Sequence, residues 1–115
     1  MTSNYTFANN GFINKNIDYP YFATADRVKL IYENYNKIKQ GMGAKQVINI
    51  LDEPDETNST YEPKIWAPKQ IGYTYWYLIQ RKVKTGSVIE KDEILVRVAF
   101  DLKWMVTGID HWGFE

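Results

Sequence analysis

The chain has no cysteine, one histidine, four prolines and seven glycines in 115 residues. Without cysteine there is no thiol nucleophile, no thiolate metal ligand and no disulfide. A single domain of this length buries about two-thirds of its unfolded surface, enough to hold itself by packing alone. No apolar run approaches the ~18–20 residues of a membrane-spanning helix, and the first residues lack the basic-then-apolar order of a signal peptide. Charge of one sign is missing too. Fourteen Lys and Arg balance fourteen Asp and Glu; residues 1–39 carry five basic and three acidic groups, 40–70 three and five, and 71–115 six and six. Nucleic-acid binding loses its support here, because counterion release needs a basic face.

Aromatic residues are abundant: nine Tyr, five Phe and four Trp, 16% of the chain. Tyr and Trp join a large apolar body to a polar handle, so they suit cores and interaction surfaces alike. Placing them requires the elements.

Residues 1–20 read as a polar lead-in or tether, with four Asn in the first fourteen positions; residues 21–115 read as one domain. Thr24 is a good N-cap, and Asp26 suits the first turn of a helix dipole. Val28, Ile31, Tyr32, Tyr35 and Ile38 then mark one helical face, which predicts a helix over 25–39 closed by a left-handed cap at Gly41. A shorter helix fits Ala44–Leu51 and must stop before Pro54. The nineteen residues from Asp52 to Gln70 hold three prolines and no clear period, and read as a long loop. Ile71–Val83, Glu93–Phe100 and Trp104–Trp112 are rich in β-branched and aromatic residues and read as strands, the first pair joined through the turn signal at Thr85-Gly86-Ser87. The expected fold is therefore α+β, with two N-terminal helices on one face of a three-stranded antiparallel β-meander.

Candidate sites are few. His111 lies beside Asp110 on a strand, where neighbours point to opposite faces, so it reads as an ordinary strand-end histidine with no orienting carboxylate. Asp52, Glu53, Asp55 and Glu56 lack the alternating ligands and turn glycine of a calcium loop and read as a solvated acidic loop. Glu90, Asp92 and Glu93 read as a charged hairpin turn. Gly41-Met42-Gly43 has no following Lys and no preceding strand, so it is a helix–helix turn rather than a phosphate loop. No catalytic, metal or cofactor site follows from these residues, and an enzyme is not expected. Tyr73, Tyr75, Tyr77 and Ile79 share one face of the first long strand, and Trp76 and Leu78 the other. With helices over one face only, one of these sets is expected to lie open as a binding surface. If Phe100 pairs with Met105, then Met105, Thr107 and Ile109 point inward and Trp104, Val106, Asp110 and Trp112 outward, with Arg97 between the two tryptophans. The expected partner-binding residues are Trp66, Tyr75, Arg97, Trp104 and Trp112.

Several motifs read together carry a resemblance. Lys39-Gln40-Gly41-Met42, then Val47, Leu51 and Pro54, the aromatic strand Tyr75-Trp76-Tyr77, and Phe100-Asp101 with Val106-Thr107-Gly108-Ile109-Asp110 resemble the SmpA/OmlA (BamE-like) family of small outer-membrane lipoproteins, which shares the β-lactamase inhibitory protein (BLIP-like) fold. Tyr21–Val28 resembles the family's lead into its first helix, and the similarity spans about residues 20–112. Three positions depart from the pattern: Asp52 and Trp104 stand where the family usually has Gly, and Gly43 replaces a Ser/Thr cap. The Asp52–Gln70 loop is also longer. The resemblance implies a non-catalytic protein–protein interaction module of the bacterial cell envelope, with barrel-assembly components as protein partners and contact with the anionic phospholipid phosphatidylglycerol. It also implies the periplasmic face of the outer membrane if Met1 stands in for a lipidated Cys, and the cytoplasm otherwise. The alternatives are a proteinaceous enzyme inhibitor of the β-lactamase inhibitory protein type and a small ligand-binding domain. A homodimer through the same aromatic face stays open.

Overall fold

A computed structural model describes residues 19–82 and 93–114 in full, and residues 5–7 and 13–15 as backbone. The element order is β1 (Tyr5–Phe7), β2 (Ile13–Lys15), β3 (Tyr21–Phe22), α1 (Ala25–Asn34), a 3₁₀ turn (Tyr35–Lys37), α2 (Ala44–Leu51), β4 (Glu56–Tyr61), β5 (Gln70–Arg81), β6 (Ile94–Phe100) and β7 (Val106–Trp112). The α+β class stands, but the three-stranded meander is corrected. The strands form one antiparallel sheet in the order β1-β2-β4-β5-β6-β7, and β3 pairs with the far end of β5. Five of them, β3 to β7, make the body of the sheet. The two three-residue strands β1 and β2, which fall within the expected lead-in, extend it beyond β4. The expected turn at Thr85-Gly86-Ser87 lies outside the described residues.

This body holds two strands beyond the expected three: β3 at the far end of β5 and, more centrally, β4. It lies inside the expected loop, and Glu56 pairs with Trp76 at one end and Tyr61 with Gln70 at the other. Thr57, Asn58, Ser59 and Thr60 carry no apolar alternation, so the segment is held by its ladder to β5 rather than by a greasy face.

The helices form for the expected reasons. Thr24 Oγ1 accepts the Arg27 N–H, and the apolar stripe places Ile31, Ile38, Val47 and Leu51 in the core. The regular part of α1 ends at Asn34, five residues short of expectation. The Asn34 side chain donates to the Leu30 carbonyl, and the chain tightens into the 3₁₀ turn. Four residues past that turn, Gly41 takes φ +91°. Gly43 caps α2 without a side chain, and Gln46 Oε1 answers by accepting the Gly43 N–H at 3.0 Å.

Both helices cover the face of the sheet that carries Tyr75, Tyr77, Ile79, Val96, Val98, Phe100 and Val106. Gly72 lets β5 pass the end of β6, because a Cβ there would be driven against the Phe100 carbonyl. The other face is not uniformly open. Trp76, Leu78 and Leu95 are buried there with Tyr21 packed on them. The expectation that one aromatic set lies exposed is therefore overturned: both sets of β5 are inside.

Two of the departures from the family pattern occupy backbone that favours glycine. Asp52 ends α2 at φ 68°, ψ −174°, a region that costs a non-glycine residue of order 1–3 kcal/mol. Its backbone does two jobs: its N–H donates to the Ile48 carbonyl at 2.8 Å, and its own carbonyl accepts the Tyr77 hydroxyl at 2.9 Å. Both survive in Asp52→Gly. That substitution should stabilise the protein by about 1 kcal/mol, seen as a higher urea midpoint at unchanged m-value.

Candidate functional site

The sheet buries polar groups, among them acidic residues expected in solvent. The acidic run at 52–56 is solvated only at its start: Asp52 is exposed, whereas Asp55 and Glu56 are buried. Asp55 lies where β4 stops and β3 has not begun, so the β5 edge at Leu78 has no neighbouring strand. The Leu78 N–H donates instead to Asp55 Oδ2 at 2.6 Å, while the Asp55 N–H donates to the Trp76 carbonyl. Arg27 from α1 donates to the same carboxylate at 2.9 Å and to the Glu53 carbonyl, and the Tyr21 hydroxyl donates to Oδ1 at 3.4 Å. Burial first, and the Asp55 charge second, raise the Tyr21 hydroxyl above its ordinary value.

The second group is Arg81, fully buried between Glu56 at 2.7 Å and Glu93 at 2.9 Å. A bulge at Ile79 turns Arg81 onto the face of Trp76, whose ring centroid lies 5.7 Å from the guanidinium. Burial alone would lower Arg81, and the Glu56 carboxylate outweighs it, holding the guanidinium charged. Burial raises the Glu56 carboxyl, and Arg81 offsets only part of that rise. Glu93, expected in a charged turn, is a buried ion-pair partner; Glu90 and Asp92 lie outside the described residues. The first group ties α1 to β5 and the second ties β4 and β5 to the approach to β6, and neither presents a reactive atom to solvent. Among the described residues there is no cluster of three His, Asp or Glu placed to hold a metal, and no helix is long and apolar enough to cross a membrane.

The five residues expected to bind a partner fall in three places. Tyr75 is 8% exposed, and Trp104 sits partly buried above it. Trp104 adopts φ 61°, the left-handed region, and lays its indole flat on Tyr73 at 3.8 Å between centroids, with Tyr75 and Phe100 against it. It is thus a cover for the core rather than an indole offered to solvent, and Tyr75 is removed as an anchor. The register explains the reversal. Phe100 pairs with Val106, not Met105, so Val106 turns inward and Met105 outward. A bulge between Val106 and Gly108 then restores the expected phase, with Ile109 against the core and Asp110 and Trp112 away from it.

Arg97 and Trp112 share the face opposite the helices. Arg97 makes a two-pronged ion pair with Asp110 at 2.6 and 3.0 Å, its guanidinium 5.3 Å from the Trp76 ring centroid. Beside that pair is a shallow hollow of about 340 Å³ floored by Thr74, Ala99 and Gly108. Trp112 is 48% exposed.

Trp66 stands apart from the other four, at the tip of the β4–β5 connection. Ile65 is 101% and Trp66 86% exposed. The base of this loop is pinned by its own hydrogen bonds: the Glu62 N–H donates to the Lys69 carbonyl, the Lys69 N–H to Glu62 Oε1, and the Lys64 N–H to the Glu62 carbonyl, each at 2.9 Å. Tyr73 pairs with Phe100, so the β6–β7 turn lies at the same end of the sheet as this loop. Of nine exposed large apolar side chains among the described residues, six collect there: Tyr61, Ile65, Trp66, Ile71, Leu102 and Met105. Sequence reading found only Trp66 of these. The available signal was Pro63 and Pro68 bracketing an apolar pair inside a polar segment. Set against family models, curated proteins and solved structures, the chain finds no match.

Proposed function

We propose that this chain is a non-catalytic protein-interaction module that docks through the apolar end of its sheet. The observation that carries the reading is the pinned loop 62–69, which holds Ile65 and Trp66 fully in water with no packing reason to be there. Exposed apolar clusters of this kind mark contact surfaces, and Trp is the residue most enriched among binding hot spots. Lys64 and Lys69 flank Ile65 and Trp66 in the loop, and Lys103 is exposed in the β6–β7 turn. Glu62 is engaged by Lys64 and the Lys69 N–H, and Asp101 by the Lys103 and Met105 N–H groups. The resemblance to SmpA/OmlA lipoproteins supports the bacterial envelope as the setting of such a module, with barrel-assembly components and anionic phospholipid as candidate partners. The aromatic faces of β5, both buried, play no part in this reading.

Ile65→Ser with Trp66→Ser removes no buried contact and should leave the urea midpoint unchanged. Recovery of partner proteins by affinity capture from an envelope extract should fall about thirtyfold or more, the loss of a hot-spot residue. Equal recovery by both forms overturns the proposal. Loss of binding to phosphatidylglycerol vesicles, with protein recovery intact, reassigns the tip to a lipid surface.

A further inference from the structure

Among the described residues, the last strand of the sheet has an unused edge. β7 pairs with β6 on one side, and on the other only its first residue is occupied: the Gly41 N–H donates to the Val106 carbonyl at 2.9 Å and the Val106 N–H to the Met42 carbonyl at 2.8 Å, beside an antiparallel bridge between Gly43 and Met105. Beyond Val106 no described strand pairs with it. Residues 106–112 include no Pro and no Lys, the usual devices that blunt an edge.

The direction of the free groups follows from the ladder. The Trp76 carbonyl and the Leu78 N–H both turn toward Asp55, on the β4 side. Alternation therefore turns Tyr75 toward β6, its partner Val98 back toward β5, and Arg97 and Ala99 toward β7. Their partners Asp110 and Gly108 point in to meet them, which leaves the N–H and C=O of Ile109 and His111 facing outward. Two hollows flank this edge, one on each face. The open-face hollow of about 340 Å³ lies beside Gly108 and Asp110. On the helix face, about 420 Å³ is lined by Tyr32, Tyr35, Asn36 and Phe114, and the His111 ring closes on Tyr35 and Phe114 at 5.4 and 4.7 Å.

We propose that β7 accepts an extended peptide segment of a protein partner as an added strand over Ile109–His111. Strand addition draws affinity from main-chain hydrogen bonds and specificity from alternate side chains, and the hollows here follow the pleat. Peptide residues opposite Ile109 and His111 face the aromatic hollow and are apolar; the residue between them, opposite Asp110, faces the Arg97–Asp110 pair and is polar. The Gly41–Met42 segment already occupies the start of this ladder. The proposal deepens the interaction reading and is independent of the loop tip.

The probe is a random nine-residue peptide library displayed on phage, selected against the full chain, with enriched peptides then synthesised. Enriched sequences should carry an apolar–polar–apolar alternation. Binding should weaken about tenfold in His111→Pro, which removes one outward N–H, and less than about threefold in His111→Ala, which removes the ring but keeps that donor. Ile65→Ser/Trp66→Ser should bind the peptide normally, so failure of the tip reading and failure of this one are separable. In the unsubstituted protein, peptide should protect the Ile109 and His111 amides from exchange, a readout that does not depend on how His111→Pro folds. No enrichment, equal effects of the two His111 variants, or protection elsewhere in the sheet overturns the proposal. Self-association of the chain that His111→Pro abolishes overturns it in favour of a second copy.

Discussion

Arg81→Met should cost about 3–5 kcal/mol of folding stability at neutral pH, because it takes the counter-charge from two buried carboxylates at once. For a domain whose total stability is of order 5–15 kcal/mol, that is a large fraction. The arrangement is one guanidinium between Glu56 and Glu93, with Arg81 Nη2 and Glu56 Oε1 buried without a hydrogen-bond partner among the described residues. Such a triad gives little net stability over an apolar replacement, yet it is costly to break by half. Glu56→Leu and Glu93→Leu added to Arg81→Met should therefore recover most of the loss, beside Trp76, Leu78 and Leu95. The pH dependence has a definite sign. Burial holds the Glu56 carboxyl above its ordinary 4.5 in the folded protein. Its favourable term is complete below that value and fades as pH rises through the folded value. Without Arg81 the rise is larger, so the deficit of Arg81→Met should be greatest near neutrality and shrink toward pH 4.5. Urea titrations at the two pH values measure it; a loss under about 1 kcal/mol at neutrality would show that the guanidinium is not the counter-charge.

The same triad shows where sequence reading stops. The helices and β5 to β7 were legible because each announces itself locally: a capped 3.6-residue stripe from Thr24, a proline stop at Pro54, and β-branched or aromatic runs. β4 was not, since Glu-Thr-Asn-Ser-Thr-Tyr has the composition of a loop and becomes a strand only against β5. Glu56 and Asp55 looked solvated because their partners lie 25 and 28 residues away in sequence. Phase was lost at bulges. One extra residue between Val106 and Gly108 exchanged the roles of Met105 and Val106 while leaving Asp110 and Trp112 as expected.

The candidate site was legible only at Trp66. A side chain exposed in a pinned loop needs no long-range information beyond its prolines, whereas the fates of Tyr75 and Trp104 depended on register. Trp104 is the instructive error. Its backbone is left-handed at φ 61°, and the indole folds back on Tyr73 instead of reaching outward.

Asp55→Ala should be as damaging as the loss of Arg81, for a different reason. The sheet has a gap along β5 between β4 and β3, and the Asp55 carboxylate fills it by accepting the Leu78 N–H. A buried backbone donor left without a partner costs about 1–3 kcal/mol. The same oxygen holds Arg27, whose guanidinium bridges α1 to the sheet and whose side chain is 13% exposed. Removing a partner from a charge that deeply placed adds a similar amount, for a total of about 3–5 kcal/mol. Asp55→Asn separates the two contributions. The amide oxygen can still accept from Leu78, but Arg27 loses its buried counter-charge and keeps the exposed Asp52 carboxylate at 4.0 Å, so the loss should be about half. Hydrogen exchange locates the effect: the Leu78 amide should lose protection in Asp55→Ala and keep much of it in Asp55→Asn, while the amides of β7 follow global stability in both. Equal losses in the two variants would mean that charge, not closure of the gap in the sheet, is what Asp55 supplies.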